Sequence, residues 1–141
     1  MDTMAASEER TIQTSQFGEL TFGIEHIFMF EEGLLGFDDL REFVLISDEV
    51  TDPFKWLISV EKPEIGFPLL SPWHLDIKYN PGKSFNLQTE VMMVVITLEN
   101  NDGVMTANMK APIVLDVESQ KGKQVILPSE KYSPTFLIPK K

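Results

Sequence analysis

Nowhere in this 141-residue chain does a helical hydrophobic period persist, whereas short alternations of apolar and polar residues, cut by turn formers, recur throughout. Leu20-Thr21-Phe22-Gly23-Ile24 alternates with period two, as do Ile77-Lys78-Tyr79 and Phe85-Asn86-Leu87. Residues 43–46 and 91–98 run apolar almost without interruption, which suits strands buried on both faces. Turn signals separate these segments at Asp52-Pro53, Lys62-Pro63, Asn80-Pro81-Gly82, Asn100-Asn101-Asp102-Gly103 and Lys121-Gly122. Many short strands at such spacing predict an all-β fold, a single barrel-like domain with one or two short helices. A helical turn is expected at residues 38–43, where Asp38 can cap and acids suit the first turn. Residues 1–10 are expected to form a disordered leader and residues 11–141 the domain.

The stretch 104–127 condenses this grammar. Met105, Ala107 and Met109 alternate with Thr106 and Asn108, and Pro112 then marks a strand start, edge or bulge because it cannot donate to a ladder. Ile113, Leu115 and Val117 restart the alternation with Asp116 facing the other way. Gly122, between two lysines, reads as a turn before Gln124-Val125-Ile126-Leu127.

Composition narrows the function classes. A chain 43% hydrophobic and 24% charged is ordinarily globular. Without cysteine there is no disulfide framework and no thiolate chemistry. The first ten residues carry three acids and no apolar core, unlike a signal peptide, and the longest apolar run, residues 91–96, is too short to cross a bilayer. A cytoplasmic location without membrane contact is therefore expected. The net charge of −10 argues against direct nucleic-acid binding, which needs a basic stripe. The charge is unevenly placed. Residues 1–66 hold fifteen acids against four bases, a balance of −11, and residues 67–141 hold seven against eight, a balance of +1. Such a half can be a solvated surface or a docking face for a basic partner.

No catalytic constellation emerges. His26 and His74 lack metal-ligand spacing, and the neighbouring carboxylates Glu31-Glu32 and Asp38-Asp39 do not face one another on a strand or a helix. Gly33 and Gly36 are not part of a phosphate-binding loop and read instead as left-handed positions in a tight turn. The expectation is a non-enzyme with no metal and no organic cofactor. Binding has better handles. Leu34, Leu35 and Phe37 lie in a glycine-bounded segment flanked by Glu31, Glu32, Asp38, Asp39 and Glu42, as apolar anchors inside a charged rim would. The same three apolar side chains could instead plug a barrel end. Asn108 could tie down the backbone at the Pro112 break or present its amide to a partner. Trp56 and Trp73 are expected to be core or partly buried, although aromatic residues also serve as interface anchors. A competing reading is a small-molecule-binding or hydrolytic β-barrel with its ligand in the mouth.

The order of motifs in residues 104–127 resembles the C-terminal signature of the flagellar assembly factor FliW family, in which an Asn precedes an Ala-Pro-Ile-Val strand and a Gly-x-Gln-Val-Ile-Leu strand follows. The likeness continues upstream. Phe30-Glu31-Glu32-Gly33-Leu34-Leu35-Gly36-Phe37 is similar to the family's Phe-Pro-Glu-Gly-Leu-x-Gly-Phe, with Glu31 in place of the usual proline. Trp56-Leu57-Ile58-Ser59-Val60-Glu61-Lys62-Pro63, and Phe67 with Ser71-Pro72, resemble its central strands and Ser-x-x-x-Pro turn. Together these motifs span about residues 18–138. The resemblance implies a non-catalytic protein with two partners. One is flagellin, bound one-to-one. The other is the translational regulator CsrA, which the protein binds and antagonises when free of flagellin, relieving repression of flagellin synthesis. On the expectation that no metal is needed, chelation with EDTA should leave the thermal unfolding midpoint unchanged. A drop of several degrees would reveal a carboxylate site, with Glu31, Glu32, Asp38 and Asp39 the first candidates.

Overall fold

The computed structural model describes residues 8–83, 85–98 and 103–139. Neighbouring segments pair antiparallel: β3 (Ile27–Phe30), β4 (Glu42–Ser47), β5 (Lys55–Ser59), β6 (Gly66–Leu70) and β7 (Glu90–Leu98) follow one another around a wall. The first half of β7 then pairs with β9 (Ile113–Asp116), β9 with β10 (Lys121–Gln124), and β10 runs parallel to β3. These seven strands close a barrel. The far end of β7 carries a short extension of β8 (Met105–Ala107) and β11 (Phe136–Leu137). A separate hairpin of β1 (Glu9–Thr14) and β2 (Gly18–Gly23) lies outside the wall. Among the described residues, helix is confined to α1 (Pro72–Leu75) and two 3-10 turns, Ile24–His26 and Glu49–Thr51. No helix among the described residues is long and apolar enough to cross a membrane.

Alternation along each strand sorts side chains into an inside and an outside. Phe28, Phe30, Phe43, Leu57, Leu69, Met93, Ile113 and Leu115 fill the barrel. The outward residues of the same strands are also apolar, and two covers bury most of them. Ile27, Val44 and Ile58 pack with Phe22, Ile12, Leu20 and Trp56 beneath the β1–β2 hairpin. Met92, Val94, Ile96 and Val114 pack beneath a second cover containing Trp73, Tyr79, Met109, Leu127 and Tyr132. The uninterrupted apolar runs at 43–46 and 91–98 have this cause: β4 and β7 have core on both faces.

Several expectations need correction. Residues 38–43 form no helical turn; Asp38 and Asp39 lie in a non-helical turn and β4 begins at Glu42, because the apolar Phe43–Ile46 run enters the barrel wall. Ile77-Lys78-Tyr79 and Phe85-Asn86-Leu87 are not strands but parts of the second cover and its approach. Lys121-Gly122 is not a turn. It opens β10, and the reversal falls on residues 117–120, where Gln120 takes φ 58° and Asp116 Oδ1 accepts the amides of Glu118 and Ser119. Gly122 faces the Phe30 ring, which stands where a Cβ would be, so glycine here permits close packing inside a strand. Glu9 and Arg10 already belong to β1, within the expected leader. The Asn100–Asp102 part of one expected turn lies outside the described residues.

The second cover is fastened by aromatic residues. The Tyr79 hydroxyl donates to the Met109 carbonyl at 2.7 Å, the Tyr132 hydroxyl accepts the Asn80 amide at 2.7 Å, and Trp73 Nε1 donates to the Tyr79 carbonyl at 2.9 Å. Burial, with Tyr132 adding to it, raises the Tyr79 phenol pKa above its ordinary value. The unfolded chain therefore loses this proton first, so stability is complete below about pH 10, where a free tyrosine ionises, and declines above it. Tyr79→Phe should cost about 1–3 kcal/mol at neutral pH by leaving the Met109 carbonyl unpaired. It should also flatten the alkaline decline. Urea unfolding of both proteins from neutral pH to about pH 11 checks both effects, and equal alkaline slopes would refute the second.

Candidate functional site

Residues 31–41 connect β3 to β4 at one end of the barrel, and their backbone is closely specified. The Gly33 amide donates to the Phe30 carbonyl at 3.1 Å, and Leu34 and Phe37 exchange two hydrogen bonds at 3.3 and 2.7 Å. Leu35 and Gly36 are the central pair of that turn, with Gly36 at φ 83°, the position where a type II turn needs a positive φ. Gly33, at φ 68°, is more constrained: a Cβ there would stand 2.6 Å from both Asp38 Cα and the Phe37 carbonyl oxygen.

This geometry divides the three apolar candidates. Leu34 is buried with Phe30, Leu40 and Phe43, and Phe37 packs edge-on to Phe67 with centroids 5.2 Å apart. These two plug the barrel end. Leu35 points the other way and is 55% exposed. The loop is moored on both sides. Glu61 Oε1 accepts the amides of Arg41 and Glu42, each at 3.0 Å, and Glu61 itself sits in the Ser-x-x-x-Pro turn where Ser59 Oγ accepts the Lys62 amide at 2.9 Å. On the opposite side Gln124 Oε1 accepts the Leu35 amide at 2.9 Å.

Beside the loop lies a cleft of about 740 Å³. Its floor is the outer face of β3, β10 and β9 in the gap between the two covers. A cross-strand row runs Glu42, Met29, Lys121, Asp116, Glu90. Glu31, Glu32, Leu35 and Asp38 line it from the loop, and Glu90, Asp116, Lys121 and Lys123 from the wall. Five carboxylates thus face two ammonium groups, so the cleft is acidic although half of it comes from the near-neutral C-terminal part of the chain. Lys121 pairs with Glu31 at 3.1 Å, with both side chains largely exposed. Glu32, Asp38 and Asp39 form no side-chain ion pair or hydrogen bond among the described residues. Glu42 differs from the other acids: it is half-buried and paired with Arg10 at 3.4 Å.

Asn108 is not in the cleft. Its Oδ1 accepts the Ala111 amide at 3.0 Å, at the Pro112 break. His26 lies beside Glu25, at 3.7 Å, in a second concavity lined also by Phe28, Leu45 and Val117; strand direction places this at the opposite barrel end. Among the described residues no cluster of three His, Cys, Asp or Glu could hold a metal. Packed side chains occupy the barrel interior. Sequence reasoning missed Gln124, Glu61 and the two cleft lysines. Gln124 stands inside a motif already singled out, but its partner Leu35 is 89 positions away.

The family described as FliW protein matches residues 11–138. A flagellar assembly factor FliW from Caldanaerobacter subterraneus subsp. tengcongensis is 33% identical over 135 aligned positions, covering 86% of this chain and 87% of its own. One from Bdellovibrio bacteriovorus is 35% identical, covering 82% and 71% respectively. A crystal structure of the flagellar assembly factor FliW superposes with a TM-score of 0.83 at 31% identity, covering 94% of this chain and 99% of that one.

The two loop glycines should respond differently to substitution. Gly36→Ala meets only backbone strain, since nothing lies within 4 Å of its Cβ position, and should cost about 1–2 kcal/mol. Gly33→Ala adds a clash with rigid backbone and should cost about 1–3 kcal/mol more. Denaturant unfolding compares them; equal losses would mean that close approach at Gly33 carries no weight.

Proposed function

This chain belongs to the FliW family of flagellar assembly factors, and on that premise we propose that it works by protein binding alone, capturing flagellin one-to-one and, when free, binding and antagonising CsrA. The observation that carries the reading is the cleft, which sets one exposed apolar residue, Leu35, on a moored loop beside an acidic, uncovered stretch of barrel wall. Leu34 and Phe37 support it from within. Glu31, Glu32, Asp38 and Asp39 supply the acidic rim, with Glu42 behind them on β4. Flagellin's terminal regions, amphipathic and unfolded before assembly, would find an apolar anchor here. CsrA, as an RNA-binding protein, must present cationic surface, which an acidic cleft attracts. Neither act needs chemistry, and competition between two affinities for one limited protein suffices for regulation.

Calorimetric titration with flagellin and CsrA, separately and together, tests the scheme. Flagellin lacking its terminal regions should not bind; undiminished binding would overturn the assignment of the cleft to those segments. Charge reversal gives a second handle. The triple variant Glu31→Lys, Glu32→Lys, Asp38→Lys alters exposed positions, where each change ordinarily costs within about ±0.5 kcal/mol, so the fold should survive. Association with CsrA should slow by about tenfold or more at low salt and lose most of its salt dependence, whereas flagellin binding should change less. A folded variant that antagonises CsrA at wild-type strength across the salt range would reduce the acidic rim to a solubilising surface.

A further inference from the structure

Three hydrogen bonds run in series from the tip of the Leu35 turn to the Pro112 break. The Leu35 amide donates to Gln124 Oε1 at 2.9 Å, Gln124 Nε2 donates to the Ala111 carbonyl at 3.0 Å, and the Ala111 amide donates to Asn108 Oδ1 at 3.0 Å. An amide N–H can only donate and a carbonyl only accept, so the two ends fix which way the Gln124 side chain points. Its backbone is equally fixed. Gln124 lies opposite Ile113 in the β9–β10 ladder, and the next amide, that of Val125, donates to the Pro112 carbonyl at 3.0 Å. The tip itself has few restraints of its own. The Leu35 side chain is exposed, and apart from Gly36 and its two neighbours no heavy atom of the described residues lies within 4 Å of the Gly36 Cβ position.

We infer that Gln124 is a positioning residue for partner capture, holding the Leu35 turn in its projecting form, and that Asn108 acts on the cleft through Ala111 and Gln124 rather than by touching a partner. The inference rests on the reading of the cleft given above. Its physical content is preorganisation. A turn held in one conformation spends less ordering entropy when a partner arrives, and a partner meeting a loosened turn must wait for the competent form. Loss of the Gln124 amide leaves the exposed Leu35 amide to water and unpairs the carbonyl of buried Ala111, while the β9–β10 ladder and the Val125–Pro112 bond remain, so the barrel should stay intact while the tip loosens.

Two measurements separate the possibilities: amide hydrogen exchange of the free protein, and stopped-flow association with full-length flagellin. In Gln124→Ala the Leu35 amide should exchange at least about tenfold faster, while barrel amides such as those of Val44 and Ile58 keep their protection. Flagellin association should slow several-fold with a smaller change in dissociation. Asn108→Ala should move both readouts in the same direction and less far. Gln124→Glu keeps an acceptor for the Leu35 amide and should restore most of that protection; it also serves if the alanine variant folds poorly. Unchanged Leu35 exchange in folded Gln124→Ala, or faster exchange with an unchanged association rate, overturns the inference. Leu35→Ala provides the separate control. If it binds flagellin like wild type, the cleft reading fails, whatever the exchange data say of Gln124.

Discussion

A barrel strand that is apolar on both faces solves one problem and creates another. Its inner side chains bury one another, but the outer ones would expose a hydrophobic wall, and water must be excluded from that wall as well. The structure depends on meeting this second demand. Val44 and Ile58 on one side, and Met92, Val94 and Val114 on the other, are as buried as the barrel interior because the β1–β2 hairpin and the Tyr79–Tyr132 cover lie over them. The first cover comes from the N-terminal hairpin and the second from mid-chain and C-terminal segments, and they do not meet across β3, β10 and β9. What is left uncovered is the cleft. The floor of this window is the barrel wall itself, and on the proposed reading it is where a partner is recognised.

The end of the barrel beside this window has the complementary requirement. Leu34 and Phe37 must turn inward to close it, yet the chain has only two residues between them in which to reverse. The reversal is made with Gly36 at positive φ, and the side chain at its apex, Leu35, is left pointing outward. Exposure of Leu35 is therefore a consequence of plugging the barrel rather than an independent feature. The plug reading holds for Leu34 and Phe37, while Leu35 at the apex stays exposed, as the proposed anchor role requires.

How much of this was legible in the sequence varies with the range of the interaction. Period-two alternation and turn formers gave the all-β barrel, and the doubly apolar runs identified β4 and β7. Local signals failed where long-range packing set the outcome. Gly122 has the local look of a turn between lysines, but the Phe30 ring requires glycine inside a strand. Asp38-Asp39 has the look of a helix start, but β4 needs Phe43 in the wall immediately afterwards. Ile77-Lys78-Tyr79 alternates like a strand, although Tyr79 is held by its hydroxyl rather than by a ladder. The Leu35 and Asp38 region stands out locally as apolar residues between glycines and acids, whereas only the parallel pairing of β10 with β3 brings Lys121, Lys123 and Gln124 beside it.

The charge pattern carries the last step. In the sequence the excess of acids belongs to the N-terminal half, and a docking face made only of those acids would attract any cation with little discrimination. The fold instead threads Lys121 and Lys123 between two acidic banks, Glu31, Glu32 and Asp38 on the loop and Asp116 and Glu90 on the wall. On the proposed reading, a partner docking here would have to match a sequence of signs across β3, β10, β9 and β7, and a uniformly basic segment would meet repulsion at the centre. Lys121 also holds Glu31 at 3.1 Å in the free protein, so an incoming cation must displace an ion pair before it gains one. An exposed pair of this kind is worth little, about 0–1 kcal/mol, which sets only a low barrier. Specificity in such a site comes from register along the cleft more than from the net charge that draws the partner in.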